Sequence, residues 1–404
     1  MADTPIASTE GGVTAPLGFQ SAALHCGIKA SALDLVILAA DRPVAAAALF
    51  TTNVVKAAPV LLSQKHLVLT QGRARAIVVN SGCANACTGD AGMRDAMDTA
   101  ATAAQALGCA PDDVLVASTG VIGVALKMRE LVSGVQTAVR ELARGKGADA
   151  ARAIMTTDLS PKERAVTVRT AAGSFTIGGM AKGAGMIEPK MATMLAFLTT
   201  DADVPPALLH RALQDAASNT FNAITIDGDS STNDSLFALA SGASGVTIDE
   251  ASYPAFVDGL TAVSRDLALA IVRGGEGATK LIAVRARGAG AEDDARLGAK
   301  TIANSLLVKT AVHGADPNWG RILAAAGRAG VAFDPERVTV RVGGILLFED
   351  GRPHDHAAPT AAKHLQGDTI DIEIDLGERP GAEATVWTCD LSAEYVRING
   401  EYRT

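Results

Sequence analysis

The chain has 404 residues, enough for two to three domains, and is 48% hydrophobic against 20% charged, which excludes a disordered chain and fits one that can enclose a deep site. A net charge of −8 without any basic block excludes binding to a nucleic-acid backbone, and an aromatic content of 3% leaves few rings to stack on bases. The opening MADTPIASTE is too polar for a secretory leader, no apolar run approaches a membrane span, and five cysteines are an odd set; the expectation is a cytoplasmic enzyme with reduced thiols.

Short apolar strands alternate with helices in the first half. Strands are expected at 33–40, 45–51, 76–80 and 114–118, and helices at 93–107 and 128–143. Alternation of polar and apolar residues over 164–169 and 174–177 predicts a hairpin turning at Ala172 and Gly173. An apolar strand at 194–199 opens the second half, followed by helices at 206–218 and 255–272. The second of these sets Phe256, Leu260, Val263, Leu267 and Ile271 on one stripe. Residues 369–376 read TIDIEIDL, a period-two strand with Ile370, Ile372, Ile374 and Leu376 facing inward, and 338–342 repeats the pattern. Half-polar strands with interspersed helices imply a layered α+β architecture.

The common cofactor fingerprints are missing. GGEGATK at 274–280 lacks the third glycine of a dinucleotide turn, and in GGMAKGAG at 178–185 no Lys-Ser/Thr pair follows, so it is not a phosphate loop. No H-E-x-x-H, paired C-x-x-C or G-x-S-x-G occurs, so zinc and the nucleophile elbow have no sequence support. Cys83 and Cys87 are four apart without a second pair and read as structural. His354 and His356 read as a solvated loop. Arg321 suits either a carboxylate ligand or a structural salt bridge.

What survives is GGMAKGAGMIEPKMATMLAFLTTDA, residues 178–202. A glycine loop carrying Lys182 runs through Pro189 into Ala192–Thr193 and then into an apolar strand. A Thr hydroxyl is a weak nucleophile without an adjacent base. Cutting before Thr193 would free an α-amine whose reference pKa is about 7.7 to 8.0, near working pH and on the same residue as the hydroxyl. The plainer reading of MATML is an ordinary strand entry.

This segment closely resembles the cleavage segment of the ornithine acetyltransferase (glutamate N-acetyltransferase) family. So do VNSGCANACTG from Val79, STGVIG from Ser118, IMTTD from Ile154, DGDSSTND from Asp227, GGEGATK from Gly274, SLLVKTA from Ser305, DPNWGR from Asp316 and the terminal NGEYRT, in family order from residue 79 to the end. The resemblance implies an αββα-type sandwich, as in self-cleaving aminopeptidases. It implies self-cleavage between Ala192 and Thr193, giving an α chain of 1–192 and a β chain of 193–404 that pair as an α2β2 heterotetramer. Thr193 matches the nucleophile, and Thr119 and Gly120 the oxyanion hole. Thr156, Lys182, Thr193, Glu276, Asn399 and Thr404 match substrate-binding positions, Lys182 for a carboxylate and Glu276 for an ammonium. The chain departs from many relatives at Ala184, Glu188 and Lys190.

The implied reaction moves acetyl from N2-acetyl-L-ornithine to L-glutamate through acetyl-Thr193, in arginine biosynthesis, without metal or organic cofactor. Acetyl-CoA stands as an alternative donor. Two rivals are an aminopeptidase or amidase on the same scaffold and a binding protein with a decayed site. Partners are amino-acid substrates, with no nucleic acid and no membrane.

Overall fold

The computed structural model describes residues 6–188 and 194–401, so Ala192, Thr193, Thr404 and the bond between Ala192 and Thr193 lie outside the described residues. β1 (Ile6–Thr9) and β2 (Phe19–Leu24) precede β3 (Leu35–Phe50), a run that is apolar except for Asp41, Arg42 and Pro43 at its middle. Sequence reading expects two strands here. They are one, because the chain stays extended through the exposed Asp41 and Arg42, where the register shifts between Ala39 and Val44. Then come α1 (Ala58–Leu69), β4 (Arg73–Cys83), α2 (Gly89–Leu107), β5 (Val114–Val121), α3 (Met128–Arg140) and α4 (Gly147–Ala153). The hairpin of β6 (Lys162–Thr170) and β7 (Gly173–Lys182) turns at Ala171 and Ala172, one residue earlier than expected, with Gly173 already opening β7. β8 (Leu195–Thr200), α5 (Pro206–Ser218), β9 (Ser235–Ala240) and α6 (Tyr253–Arg273) complete this lobe.

The nine strands run β1-β6-β7-β8-β9-β3-β4-β5, with β2 also on β3. β3 joins two halves: its first part pairs with β2 and β4, its last part with β9. The period-two alternation of side chains explains how the halves stack. Val36, Leu38, Ile77, Val79 and Leu115 of one half share a core with Met180, Leu195, Phe197, Phe237 and Leu239 of the other. Phe197 and Phe237 stack at 5.5 Å inside it. On one outer face, Ile177, Ala196, Leu198 and Leu236 pack with α5 and α6 residues; on the other, Leu35, Ile37, Val78 and Val116 pack with residues of α1, α2 and α3. The order helix, sheet, sheet, helix is the expected αββα sandwich. All five residues of the expected α6 stripe are buried, and each such burial contributes roughly 1.5 to 3 kcal/mol.

The second lobe is built from β10 (Leu281–Ala289), α7 (Glu292–Ala303), α8 (Leu306–His313), α9 (Trp319–Gly327), β11 (Thr339–Val342), β12 (Ile345–Glu349), β13 (Arg352–Pro353), α10 (Ala358–Leu365), β14 (Thr369–Asp375) and β15 (Ala382–Cys389), followed by α11 (Ala393–Glu401). Its strands run β13-β12-β11-β14-β10-β15. Ile370, Ile372, Ile374 and Leu376 face the helices as expected, while Arg287 on the other face pairs with Asp375 at 2.9 Å. Arg321 takes neither expected role: its Nη1 donates to the Leu307 carbonyl at 2.9 Å. Buried Lys309, in SLLVKTA, ties the lobes together by donating to Ile226 O at 2.8 Å and Thr388 Oγ1 at 2.9 Å. Among the described residues no helix is long and apolar enough to cross a membrane.

Candidate active site

A cavity of about 250 Å³ opens where β5, β7 and β8 meet at one end of the sandwich. Thr119, Gly120, Thr156, Lys182, Glu276 and Asn399 all line it, so every expected site residue that is described arrives at one place. They come from β5, the segment after α4, the end of β7, the turn after α6, and α11. Met194, the residue after Thr193, also lines it. Thr193 itself and Thr404 lie outside the described residues.

β5 delivers Thr119 and Gly120 alongside β4, pairing Ser81 with Thr119 and Gly82 with Gly120. Gly120 has φ of 128°, and a Cβ there would come within 2.3 Å of the Gly82 carbonyl carbon, so only glycine fits. Asn233 fixes this corner, its Nδ2 donating to Ala84 O at 2.6 Å and Ser118 O at 2.9 Å. The Lys182 ammonium donates to Thr119 Oγ1 at 3.2 Å. A hydroxyl that accepts from a cation has its own proton free and polarised for donation into the cavity. Lys182 therefore orients the Thr119 hydroxyl, a contact that its sequence position did not reveal.

Charge in the cavity is dense. Burial lowers the Lys182 pKa, against the pull of Asp158, Asp234 and Glu276, with Lys162 adding to the lowering. Asp158 accepts from Lys162 Nζ at 2.5 Å, from Gly183 N at 2.7 Å and from Thr156 N at 3.1 Å. Burial alone would raise its pKa, but the Lys182 and Lys162 charges and the hydrogen bonds outweigh it and hold it at about 2. Glu276 Oε2 accepts from Asn399 Nδ2 at 2.8 Å, so two expected substrate contacts brace each other. Gly185 lies against the same carboxylate, 2.4 Å from Glu276 Oε2 for an added Cβ.

The chain is clamped on both sides of 189–193. Upstream, Asp227 accepts from Met186 N at 2.6 Å and Ile187 N at 2.9 Å. Glu188, one of the departures from family pattern, accepts from Asn304 Nδ2 at 2.6 Å and Thr225 Oγ1 at 2.8 Å, with Lys300 at 3.4 Å. The carbonyl of Ala184, another departure, accepts from Glu276 N at 2.8 Å. Downstream, Ser235 N donates to Met194 O at 2.9 Å, and Leu195 pairs with Ser235 in the parallel β8–β9 ladder. Asp158, Asp227, Asn233 and Asp234 escaped the residue-by-residue reading, although IMTTD and DGDSSTND contain them. Buried acids and amides inside a polar run were the available signal.

The arrangement offers a hydroxyl and a backbone N–H, a cation beside the hydroxyl, and carboxylates around that cation. It suits a small zwitterion and an acyl carbonyl that develops negative charge. Comparison with known proteins gives the family. The profile of the ArgJ family matches residues 20–404. The chain is similar to the "Arginine biosynthesis bifunctional protein ArgJ" of Symbiobacterium thermophilum, at 49% identity over 402 residues, covering 98% of this chain and 99% of that protein. It is equally similar to the protein of the same name from Dehalococcoides mccartyi, at 49% identity with 98% of each covered. A crystal structure of Mycobacterium tuberculosis ornithine acetyltransferase complexed with ornithine aligns at 46% identity over 46% of this chain and 100% of that chain, with a TM-score of 0.43.

Proposed function

The chain belongs to the ArgJ family, and we propose that it is an arginine-biosynthesis acyltransferase moving acetyl from N2-acetyl-L-ornithine to L-glutamate through acetyl-Thr193. The observation that carries this reading is the convergence of Thr119, Gly120, Lys182 and Glu276 on one cavity that Met194 also lines.

The chemistry begins with a cut. The Thr193 hydroxyl attacks the Ala192 carbonyl, the acyl group shifts from nitrogen to oxygen, and water opens the ester, leaving α (1–192) and β (193–404) chains. The freed amine then takes the hydroxyl proton as Thr193 attacks the acetyl carbonyl. Thr119 Oγ1 and Gly120 N–H donate to the oxyanion; one such donor typically accounts for about 10² to 10³ in rate. The amine returns its proton to the leaving ornithine nitrogen. Glutamate, its α-amine deprotonated, attacks the ester in the same way and regenerates Thr193. Lys182, Glu276 and Asn399 bind the charged ends of the amino acids, with Thr156 and Thr404 completing the set.

We read the second activity of a bifunctional enzyme as the same acylation from acetyl-CoA, and the working assembly as a cytoplasmic α2β2 heterotetramer. No step calls on a metal or cofactor. A Thr193→Ala chain is expected to run as one band on a denaturing gel where the unaltered protein gives two, and to lose transfer. An acyl group passing to water instead of glutamate, in an assay with both present, would replace this reading with that of an amidase.

A further inference from the structure

A second cleft, of about 240 Å³, lies where the two lobes meet. Ile226 and Asp227 reach it from the sandwich, Leu306 from the start of α8, and Leu391, Tyr395 and Val396 from α11 and the turn before it. It shares Asp227 and Tyr395 with the reaction cavity, so these two side chains are the wall between the spaces. The Tyr395 hydroxyl closes that wall by donating to Asp227 Oδ2 at 3.2 Å. On the reaction side the wall adjoins the amino-acid end of the site. The Tyr395 carbonyl accepts from Asn399 Nδ2 at 3.0 Å, and the same nitrogen donates to Glu276 Oε2 at 2.8 Å. On the other side the lining is mainly aliphatic, with Leu306 and Val396 64% and 67% exposed. The charged groups there are already met by the protein: Lys309 donates to Ile226 O, Thr388 Oγ1 and Cys389 O, and Asp227 accepts from Met186 N and Ile187 N. The cleft therefore offers apolar contact and no spare charge, which suits an uncharged, partly aliphatic chain and not a free amino acid.

The two donors named above differ in what is attached to the acetyl carbonyl. Ornithine is small and charged, and Glu276 and Asn399 hold it within the reaction cavity. Acetyl-CoA puts a long uncharged arm in the same leaving position, with amides and a branched aliphatic unit before its phosphates. A cavity of about 250 Å³ does not contain that arm, which has to run out past the residues that hold ornithine. The cleft begins directly behind them. We infer that the cleft between Ile226, α8 and α11 binds the uncharged arm of a thioester acetyl donor, with Tyr395 as the wall that the arm passes. The inference rests on the acetyl-CoA reading above, and adds to it the place where the two donors are told apart.

The test fills the cleft and compares donors. Leu306→Trp, and separately Val396→Trp, should raise KM for acetyl-CoA about 10-fold or more in the formation of N-acetylglutamate, the loss expected when a few methylenes are no longer buried. Transfer from acetylornithine to glutamate should stay within about twofold, as should acetylation by S-acetyl-N-acetylcysteamine, a thioester too short to reach the cleft. An unchanged KM for acetyl-CoA in both variants overturns the proposal. Equal losses with all three donors, or a changed assembly mass in sedimentation, also overturn it and make this face a structural or subunit contact. Should neither variant fold, hydrogen exchange of the unaltered enzyme decides. Desulfo-coenzyme A, which cannot react, should slow exchange in 306–309 and 391–396, and unchanged exchange there refutes the site. If the unaltered enzyme makes no N-acetylglutamate from acetyl-CoA, the donor reading fails and takes this inference with it, while transfer from acetylornithine stands.

Discussion

The two lobes bury different things. In the second lobe, the core of β10, β11 and β14 under α7 to α10 is apolar throughout, from Ile282 and Val340 to Ile374. Charges such as Arg285 with Glu383 sit on the other face of the sheet, and buried Lys309 sits at the junction with the sandwich. In the sandwich, the end of β7 carries Lys182 inward among Asp158, Lys162 and Asp234, all of them buried. Buried charges are costly to fold and cheap to preorganise for chemistry. The difference teaches that the sandwich spends stability where the second lobe supplies it, while α11 and Lys309 tie the two together.

Perturbing each lobe should therefore give opposite signatures. The largest effect is expected from Thr119→Val, which removes the hydroxyl between Lys182 and the cavity: kcat should fall about 10² to 10³, roughly 3 to 4 kcal/mol, with thermal stability nearly kept. Thr119→Ser should retain most of the rate. Steady-state kinetics and a melting curve on the same preparations check this. Ile372→Ala in β14 should do the reverse. Deleting that buried side chain should cost about 3 kcal/mol of stability by denaturant titration, while kcat of the folded fraction stays within about twofold. Equal losses of rate in both variants would erase the contrast.

Acid provides a smaller, third perturbation. The Asp158 carboxyl is held at about 2 against a usual value of 3.8, so its native pairing favours the folded state above pH 3.8. That contribution, about 2 kcal/mol, is lost as pH falls from about 4 to about 2, where the native carboxylate finally protonates. Stability of Asp158→Asn should lack this part of the acid dependence and be lower at neutral pH, since Lys162 and Lys182 stay buried without their partner. An identical pH dependence in the variant would remove Asp158 from the account.

Much of this was legible in the sequence, for physical reasons that differ by region. TIDIEIDL reads directly as a strand because its period of two matches one covered face. The α6 stripe reads as a helix because its period matches too. β3 misled because Asp41-Arg42-Pro43 resembles a turn, yet the chain stays extended through that polar patch. β9, SLFALA, carries no alternation because both of its faces are covered. In the site, Thr119, Gly120, Lys182 and Glu276 were legible through family resemblance and not through spacing. Residues 119, 182 and 276 are distant in sequence; the stacking of the β4–β5 half on the β7–β8 half, and the Glu276 N–H bond to the Ala184 carbonyl, bring them together. The bond from Lys182 to Thr119 depends on side-chain geometry, which no sequence pattern encodes.

One measurement reaches the central claim most directly. Enzyme incubated with N-acetylornithine alone, quenched and digested, should yield a peptide that begins at Thr193 and carries one acetyl group, and this group should disappear when glutamate is added. A peptide beginning at Thr193 that never carries acetyl, in an enzyme that still transfers, would contradict the covalent route.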